Sequence, residues 1–412
     1  MNRTRLLTLV LVAALEGSVF VSSAAAQAPP SAPAGPAMAA RGPAPVRSPE
    51  VGADKRVTFR LRAPNASEVA VTIAGKRLPM QKDEQGVWSL TTEPMTPDIY
   101  TYSFVLDGAS MNDPANRQVQ TSFGSFQSMF MVPGPAAWLP APGVARGAIA
   151  RHAFHSAVAD DDRDFFVYTP PGYDARRSQP YPVLYLLHGL GDDAERWMNA
   201  GAANHILDNL IAQKKAVPMV VVTPLGYGTS SGPAGGRLPE NVTGYAKILL
   251  EEVMPAVDKG YNVSKNREQR AIAGLSMGGA ESLYVGLNNL DTFAWIGAFS
   301  SAPMLWGPIP PDGGRGTGAG RGAGAPAAMD EAIFAKAFPN LDAKANSRLK
   351  MLWIVCGTSD GLIGVNRQFK SWLKSKGVQF TEQEVPDMGH VWPLWRQNLT
   401  DMVPRLFHAR GN

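Results

Sequence analysis

Residues 271–287 place a serine on a sharp turn between a strand and a helix. Ala271-Ile272-Ala273 is a short apolar run that predicts a strand, and residues 280–287 are compatible with a helix. Between them stands Gly-Leu-Ser-Met-Gly, with Ser276 at its centre. The G-x-S-x-G pattern is weak alone, but between a strand and a helix it is typical of a nucleophile turn in which side chains larger than glycine would collide. The segment therefore predicts an α/β fold with Ser276 as the nucleophile.

A serine hydroxyl needs a general base, and after a turn of this kind the acid and the histidine come later in the chain. Of the six histidines, only His390 and His408 follow Ser276. His408 lies in the C-terminal tail, where we expect a surface position, whereas His390 lies in a turn after the strand-like residues 380–385. We therefore predict His390 as the general base.

Two aspartates are candidates for the acid that orients the base. Asp360 comes shortly after the apolar run 351–355, which predicts a position at the C-terminal end of a strand, facing the site loops. Asp387 is only three residues before His390, which is too local for the usual arrangement, so we expect it to serve its own turn. Asp360 is the predicted acid.

An oxyanion hole requires two backbone N–H donors near the nucleophile. The residue after the nucleophile, Met277, is the first predicted donor. The second should come from the loop Gly189-Leu190-Gly191, which follows an early apolar strand; Leu190 is the preferred donor and Gly191 the reserve. We interpret the neighbouring His188 as a structural loop residue.

The strand and helix patterns divide the chain into two folded regions. Short alternating strands between about 50 and 133, separated by turn residues, indicate an all-β sandwich. From about 150, continuous apolar strands alternate with helices, which predicts a mostly parallel sheet covered on both faces. The predicted boundaries are a signal peptide at 1–26, a Pro/Ala-rich linker at 27–47, a β-sandwich at 48–133, a second linker at 134–149, and an α/β domain at 150–410 with a Gly-rich insertion at 307–328.

The N-terminus has the features of an export signal. Arg3 and Arg5 precede the apolar run 6–15, and the small residues 23–26 supply a cleavage site after Ala26. The apolar run is too short to span a bilayer comfortably, and no later stretch reaches that length, so stable membrane insertion after cleavage is not expected. We expect a secreted or periplasmic bacterial protein.

Charge, cysteine content and residue spacing indicate which kinds of partner, metal or cofactor to expect. The net charge of +4 comes from interspersed residues without a basic block, so no nucleic-acid partner is expected. The single cysteine, Cys356, lies in an apolar strand and is interpreted as a buried hydrophobe. No His-x-x-x-His or Cys-x-x-Cys pair is present, and residues 160–162 fit a solvated acidic turn better than a calcium site, so we expect no metal and no cofactor. The oligomeric state stays open, with a dimer among the options.

Several segments together resemble a known family. Residues from about 150 to 408 resemble the esterase-D-type α/β-hydrolases, which include carbohydrate esterase family one, and the segments that carry this resemblance are 168–173 (YTPPGY), 185–189 (YLLHG), 270–279 (RAIAGLSMGG) and 389–396 (GHVWPLWR). Residues 50–133 are similar to the early-set immunoglobulin-like domain that precedes this fold in a bacterial subgroup. The resemblance implies a serine ester hydrolase with a small immunoglobulin-like sandwich in front of it.

The resemblance also implies a substrate, with alternatives. The implied role is a feruloyl or acetyl-xylan esterase acting on esterified plant polysaccharide or its oligosaccharides. A siderophore trilactone esterase of the enterochelin type is the alternative enzyme, and a non-catalytic carbohydrate-binding protein is the alternative of another class. Residues 224–227 (PLGY) depart from the family, which often has Asn after the Pro, so the shape of the pocket stays open.

Aromatic residues supply the remaining candidates for binding. Trp197 and Trp392 match aromatic positions of the family and are candidates to line the substrate pocket beside Gly189 and Gly191, with a scaffold role as the alternative. Three aromatic residues of the sandwich could stack on sugars, although packing in the core is the favoured interpretation; these are Trp88, Tyr100 and Tyr102. For the insertion at 307–328, an inert surface loop is favoured over a lid.

Overall fold

The computed structural model describes residues 45–123, 125–230, 232–235, 239–307 and 330–408. The predicted signal peptide, most of the first linker and the predicted insertion apart from Gly307 lie outside the described residues. Within the described chain, the residues from Val46 onwards belong to one compact unit. The β-sandwich region and the α/β region are therefore parts of a single packed body.

Among residues 45–123 and 125–133, ten strands form a region that we call the β-domain. They are β1 (Glu50–Val51), β2 (Val57–Arg62), β3 (Val69–Ile73), β4 (Lys76–Pro79), β5 (Gln81–Lys82), β6 (Val87–Thr91), β7 (Asp98–Leu106), β8 (Ala109–Met111), β9 (Val119–Ser122) and β10 (Ser125–Val132). One sheet has the order β1-β2-β6-β5 and the other β4-β3-β7-β10-β9, with β8 paired to β7. Alternating apolar residues of β2, β3 and β7 face a shared core, as the strand pattern predicts.

Aromatic side chains fill the core of the β-domain. Tyr102 is fully buried, and its hydroxyl donates to Asp113 Oδ2 at 2.7 Å, while Trp88 is buried and its indole N–H donates to Ala63 O. Tyr100 is partly buried and stacks on Phe130, with ring centroids 5.3 Å apart. The favoured packing role is confirmed, and the idea that Trp88 and Tyr102 are exposed sugar platforms is wrong, because both rings lie inside the sandwich.

In the second region, the described residues form one sheet of eight strands. They are β11 (Ala148–Ser156), β12 (Asp161–Thr169), β13 (Val183–Leu187), β14 (Val220–Pro224), β15 (Arg270–Leu275), β16 (Trp295–Phe299), β17 (Met351–Gly357) and β18 (Thr381–Val385). The order is β11-β12-β14-β13-β15-β16-β17-β18, with antiparallel pairing only at the β11–β12–β14 edge. The mostly parallel sheet was predicted, but β11 starts two residues before the predicted boundary at 150.

Helices cover both faces of this sheet, because the inner strands are apolar on both sides. They are α1 (Arg196–Asn199), α2 (Ala203–Ala212), α3 (Gly232–Gly235), α4 (Pro239–Lys247), α5 (Met254–Gly260), α6 (Met277–Asn288), α7 (Glu331–Ala337), α8 (Ile363–Ser375) and α9 (Trp392–Met402), with a π-helical segment Ile248–Val253 between α4 and α5. In β13, Tyr185 packs into one core while Leu184 and Leu186 pack into the core on the opposite face. The carboxyl ends of β13, β15, β17 and β18 consequently meet at one edge, where the site lies.

Candidate active site

The turn between β15 and α6 holds Ser276 in a strained backbone conformation, with φ of 54° and ψ of −114°. The flanking glycines make this turn sterically feasible. A Cβ on Gly274 would lie 2.4 Å from Gly278 O, and a Cβ on Gly278 would lie 2.4 Å from His188 O. Real side chains do not approach backbone that closely, so the predicted need for glycine at both positions is confirmed.

Hydrogen bonds to neighbouring segments fix the Ser276 backbone. Its N–H donates to Phe299 O at 2.9 Å, and its carbonyl accepts from Ala302 N at 3.0 Å. Met277 is the first residue of α6, so its N–H precedes the intrahelical hydrogen-bond ladder. A donor in this position, next to the nucleophile and at a helix N-terminus, is suited to stabilise developing negative charge.

Asp360 and His390 come together although 30 residues separate them. Asp360 follows β17, His390 follows β18, and His390 Nδ1 lies 2.9 Å from Asp360 Oδ2. A neutral imidazole that donates from Nδ1 to a carboxylate keeps Nε2 as the proton acceptor, which is the tautomer a general base needs. The Asp360 side chain is fully buried, whereas 36% of the His390 side chain is exposed. A buried carboxylate is thus paired with an imidazole that remains accessible.

The environment of Asp360 favours its ionised form. Burial by itself would raise the pKa of this carboxyl, but the hydrogen bond and charge of His390, together with the N–H of Leu362 at 2.9 Å, hold the pKa below its usual value. Asp387 is exposed, and its N–H donates to Thr358 Oγ1, so it serves a turn as expected. His408 is exposed, also as expected.

The loop after β13 lies against the nucleophile. A Cβ on Gly189 would lie 3.4 Å from the Ser276 Cβ and 2.7 Å from the end of the Leu275 side chain, so the backbone of this loop packs closely against the nucleophile turn. The Gly191 N–H donates to the Tyr227 hydroxyl at 2.8 Å. Gly191 is therefore wrong as the reserve oxyanion donor, because its N–H already has a partner, and Leu190 stays the candidate.

His188 holds this loop from inside. It is buried, its Nδ1 lies 2.8 Å from Gly189 O, and its Nε2 accepts from Gly226 N at 2.8 Å. Burial lowers the pKa of His188 to about 4, which keeps the ring neutral and fits one donor and one acceptor contact. The structural role predicted for His188 agrees with these contacts.

The two candidate tryptophans differ in accessibility. Trp197 is fully buried, and its indole N–H donates to Leu187 O at 2.8 Å. Trp197 is therefore wrong as a substrate contact and acts as scaffold. Trp392 is partly exposed and packs edge-on between Trp197 and Trp395, with centroids 5.3 and 5.2 Å away. Because it is two residues from His390, Trp392 remains a candidate for contact with substrate.

Sequence reasoning missed three polar side chains around the loop that follows β13. The buried Tyr227 hydroxyl accepts from Gly191 N and donates to Asp192 O, so it fixes the loop backbone. Burial raises the pKa of Asp192 to about 6, although Arg196 at 2.9 Å opposes the shift. The spacing of Asp192 and Arg196, four residues apart, is a helical ion-pair spacing that could have indicated this contact.

A carboxyl also lies behind the nucleophile turn. Glu281 is on α6, fully buried, and its Oε1 accepts from Asn241 Nδ2 at 3.2 Å. Burial raises the pKa of Glu281 well above its usual value, which favours the neutral form of this side chain. No sequence pattern distinguished Glu281 from an exposed helical glutamate.

The described residues were also compared with the requirements of a metal site and of a membrane-spanning helix. In the part of the chain that the structure describes, no three His, Cys, Asp or Glu side chains are grouped as a metal site requires. Among the same residues, no helix combines the length and apolarity needed to cross a bilayer.

The eight-stranded sheet, the strained serine turn and the Asp360–His390 pair define an α/β-hydrolase. The chain matches the family described as “Putative esterase” over residues 156–406. This is more than half of the chain, and the protein belongs to this family of serine esterases.

Individual relatives extend the comparison. An endo-1,4-beta-xylanase/feruloyl esterase from Xylanibacter ruminicola is 30% identical over 371 residues, covering 87% of this chain. The match covers 46% of that relative, so this chain spans less than half its length. A CE1 ferulic acid esterase from Anaeromyces mucronatus has 25% identity and a TM-score of 0.53, covering 66% of this chain and 96% of its own.

A second solved structure covers more of this chain than the Anaeromyces mucronatus esterase does. The enterobactin esterase from Shigella flexneri has a TM-score of 0.56 and 19% identity, covering 85% of this chain and 92% of its own. At that identity the likeness shows the fold alone.

Proposed function

We propose that this serine esterase is a feruloyl or acetyl-xylan esterase that acts on esterified plant polysaccharide or its oligosaccharides. The observation that carries the esterase chemistry is the 2.9 Å contact of His390 with the buried Asp360, in a fold that presents Ser276 on a strained turn. The substrate class is supported by the relatives, whose names include xylanase and feruloyl or ferulic acid esterase.

The proposed reaction proceeds through an acyl-enzyme. The Ser276 hydroxyl attacks the ester carbonyl while His390 Nε2 takes its proton, and Asp360 stabilises the imidazolium. The N–H groups of Leu190 and Met277 hold the oxyanion. His390 then gives the proton to the leaving alcohol, and a water molecule activated by His390 releases the acid. We propose no metal or cofactor for this reaction.

The test compares catalytic variants with a matched histidine control. We expect Ser276→Ala and His390→Ala to lose at least about 10³-fold in kcat on an aryl acetate, and Ser276→Ala to lose labelling by a fluorophosphonate probe. His408→Ala, which changes an exposed histidine, should keep wild-type turnover. Wild-type turnover by Ser276→Ala would refute the nucleophile assignment.

A substrate panel separates the finer alternatives. Methyl ferulate, acetylated xylan, an aryl acetate and a catecholate trilactone should be compared by kcat/KM. Preference for the first two supports the proposal, whereas preference for the trilactone supports the siderophore esterase. An inert, unlabelled protein would support the non-catalytic carbohydrate-binding alternative.

We also propose that the protein is secreted or periplasmic, because its first 26 residues have the features of a cleaved signal. N-terminal sequencing of the protein from its native host should find Gln27 first. An N-terminus at Met1 on the mature protein would contradict export by this route.

A further inference from the structure

The hairpin of β9 and β10 joins the β-domain to the loop that carries the predicted oxyanion donor. The Phe123 N–H, directly after β9, donates to Gly191 O at 2.9 Å. The Thr121 hydroxyl donates to Asp193 Oδ2 at 2.6 Å, and Arg196 donates to Thr121 O at 3.0 Å. A backbone bond and two side-chain bonds therefore hold the hairpin against the edge of the active site.

This hairpin also presents two aromatic rings to solvent. Phe123 is 50% exposed and Phe126 is 61% exposed, and they are the most exposed large apolar side chains among the residues that the structure describes. Two exposed rings on one hairpin, beside the loop that follows β13, indicate a binding surface rather than a single scattered apolar side chain.

The positions of the two rings follow from their contacts. The Phe123 ring packs edge-on against Tyr227, with centroids 5.5 Å apart, and the Tyr227 hydroxyl binds Gly191 N. Phe126 is paired directly with Thr121, so both side chains leave the same face of the sheet. Because Thr121 reaches Asp193 on that face, Phe126 is also on the side of the α/β region.

The orientation of an ester at Ser276 determines which part of a substrate would meet these rings. The leaving oxygen must face His390, which follows β18, and the carbonyl oxygen must face the loop after β13. The acyl substituent therefore extends away from His390. Strands β13 and β14 lie on the opposite side of β15 from β17 and β18, and Tyr227 and Phe123 are on that opposite side.

We propose that Phe123 and Phe126 form an aromatic subsite that binds the ring of an aromatic acyl group during ester hydrolysis. The subsite belongs to the β-domain, which thereby contributes to acyl specificity rather than serving only as an appended module. This inference rests on the proposed esterase function and specifies its substrate as a hydroxycinnamoyl-type ester rather than an acetyl ester.

The test measures acyl selectivity in the full chain. The substrates are two esters of the same phenol, one acetyl and one hydroxycinnamoyl, and the measured quantity is the ratio of their kcat/KM values. We expect Phe123→Ala and Phe126→Ala each to lower the aromatic-to-acetyl ratio by about tenfold, mainly through KM, since each removes ring contact with the acyl group. Ile149→Ala, which truncates an exposed apolar residue on β11, should leave the ratio unchanged.

The outcomes distinguish this subsite from the function on which it rests. Equal losses on both esters, or no loss on either, would overturn the subsite. A loss that depends on a sugar leaving group, with the acyl group held constant, would also overturn it, since the rings would then bind the alcohol side. Wild-type protein that hydrolyses only the acetyl ester would remove the subsite and keep the esterase, whereas wild-type protein inert on both esters would refute the esterase itself.

Discussion

Two walls of the active site are built in different ways. One is the nucleophile turn, and the other, the oxyanion wall, is the loop after β13 that carries the predicted donor Leu190. The nucleophile turn is made by consecutive residues, from β15 through Ser276 into α6. The oxyanion wall is assembled from distant segments: Tyr227 binds Gly191 across 36 positions, and Arg196 binds Thr121 O across 75. The first wall depends on local backbone shape, and the second depends on contacts that exist only when two regions of the chain pack together.

This difference predicts different responses to substitution. In the nucleophile turn, glycines lie against backbone atoms that cannot move away, so added atoms are not tolerated. In the oxyanion wall, hydrogen bonds and ion pairs hold the loop, so the cost of losing one partner depends on how deeply the other is buried.

The largest effect is expected at the acid. Asp360→Asn should lower kcat on an aryl acetate by about 10⁴-fold, because an amide no longer selects the imidazole tautomer that accepts the serine proton. Asp387→Asn, at an exposed turn position three residues before His390, should change kcat by less than about threefold. Comparable losses in both variants, with unchanged thermal unfolding, would contradict the assignment of the acid to Asp360.

A second large effect is expected at the nucleophile turn. Gly278→Ala should destabilise the fold by about 4 kcal/mol or more and abolish activity, because the new Cβ would lie 2.4 Å from His188 O. Gly364→Ala is the matched control: a Cβ added there would meet nothing within 4 Å, and in α8 alanine should be neutral or stabilising by up to about 1 kcal/mol. Both are measured by urea unfolding, and a stable, active Gly278→Ala protein would show that the turn can relax.

The same contrast explains how much of the site the sequence could predict. The glycine pattern, the apolar strand before Ser276 and the chain order of Asp360 and His390 are properties of sequence, and the Asp360–His390 contact has the predicted partners. Continuous apolar strands likewise indicated the parallel sheet, since strands covered on both faces have that composition.

The oxyanion wall could not be predicted in the same way. Whether the Gly191 N–H is available depends on Tyr227, and the burial of Trp197 depends on packing against Phe299 and Trp392. The contact of Phe123 with Gly191 joins two regions that were interpreted as separate domains with a linker between them. Short strand patterns reveal that a β-domain exists, but they carry no information about which of its edges meets the next domain.

A third prediction tests whether the β-domain stabilises the α/β region. Arg396 of α9 is almost fully buried, and its guanidinium donates to Asp98 Oδ1 of β7 at 2.7 Å. Asp98→Ala should lower the free energy of unfolding by about 3 kcal/mol, because it removes the carboxylate partner of a buried guanidinium and leaves the bond to Ala200 O in place. Glu68→Ala, which removes the exposed partner of Arg77, should cost less than about 1 kcal/mol. Equal, small losses in urea unfolding would show that the two regions are energetically independent.

The smallest expected effect concerns the neutral carboxyl behind the nucleophile turn. The folded-state pKa of Glu281 lies well above 4.5, which is close to the value expected in the unfolded chain. As pH rises above about 4.5, the unfolded chain releases this proton while the folded chain retains it. Stability from this group is therefore full below that pH and falls by roughly 1.4 kcal/mol per pH unit above it, until the folded-state pKa is reached.

Glu281→Gln removes this titration and keeps an oxygen for the Asn241 amide. The stability of the variant relative to the wild type should therefore increase as the pH rises above about 4.5, as measured by urea unfolding at several pH values. Glu84→Gln, which makes the same change at an exposed turn, is the matched control. A pH-independent difference for Glu281→Gln would mean that the folded protein ionises this carboxyl. The nucleophile turn would then have a buried charge behind it, and the contrast between a sterically fixed turn and an electrostatically held loop would no longer hold.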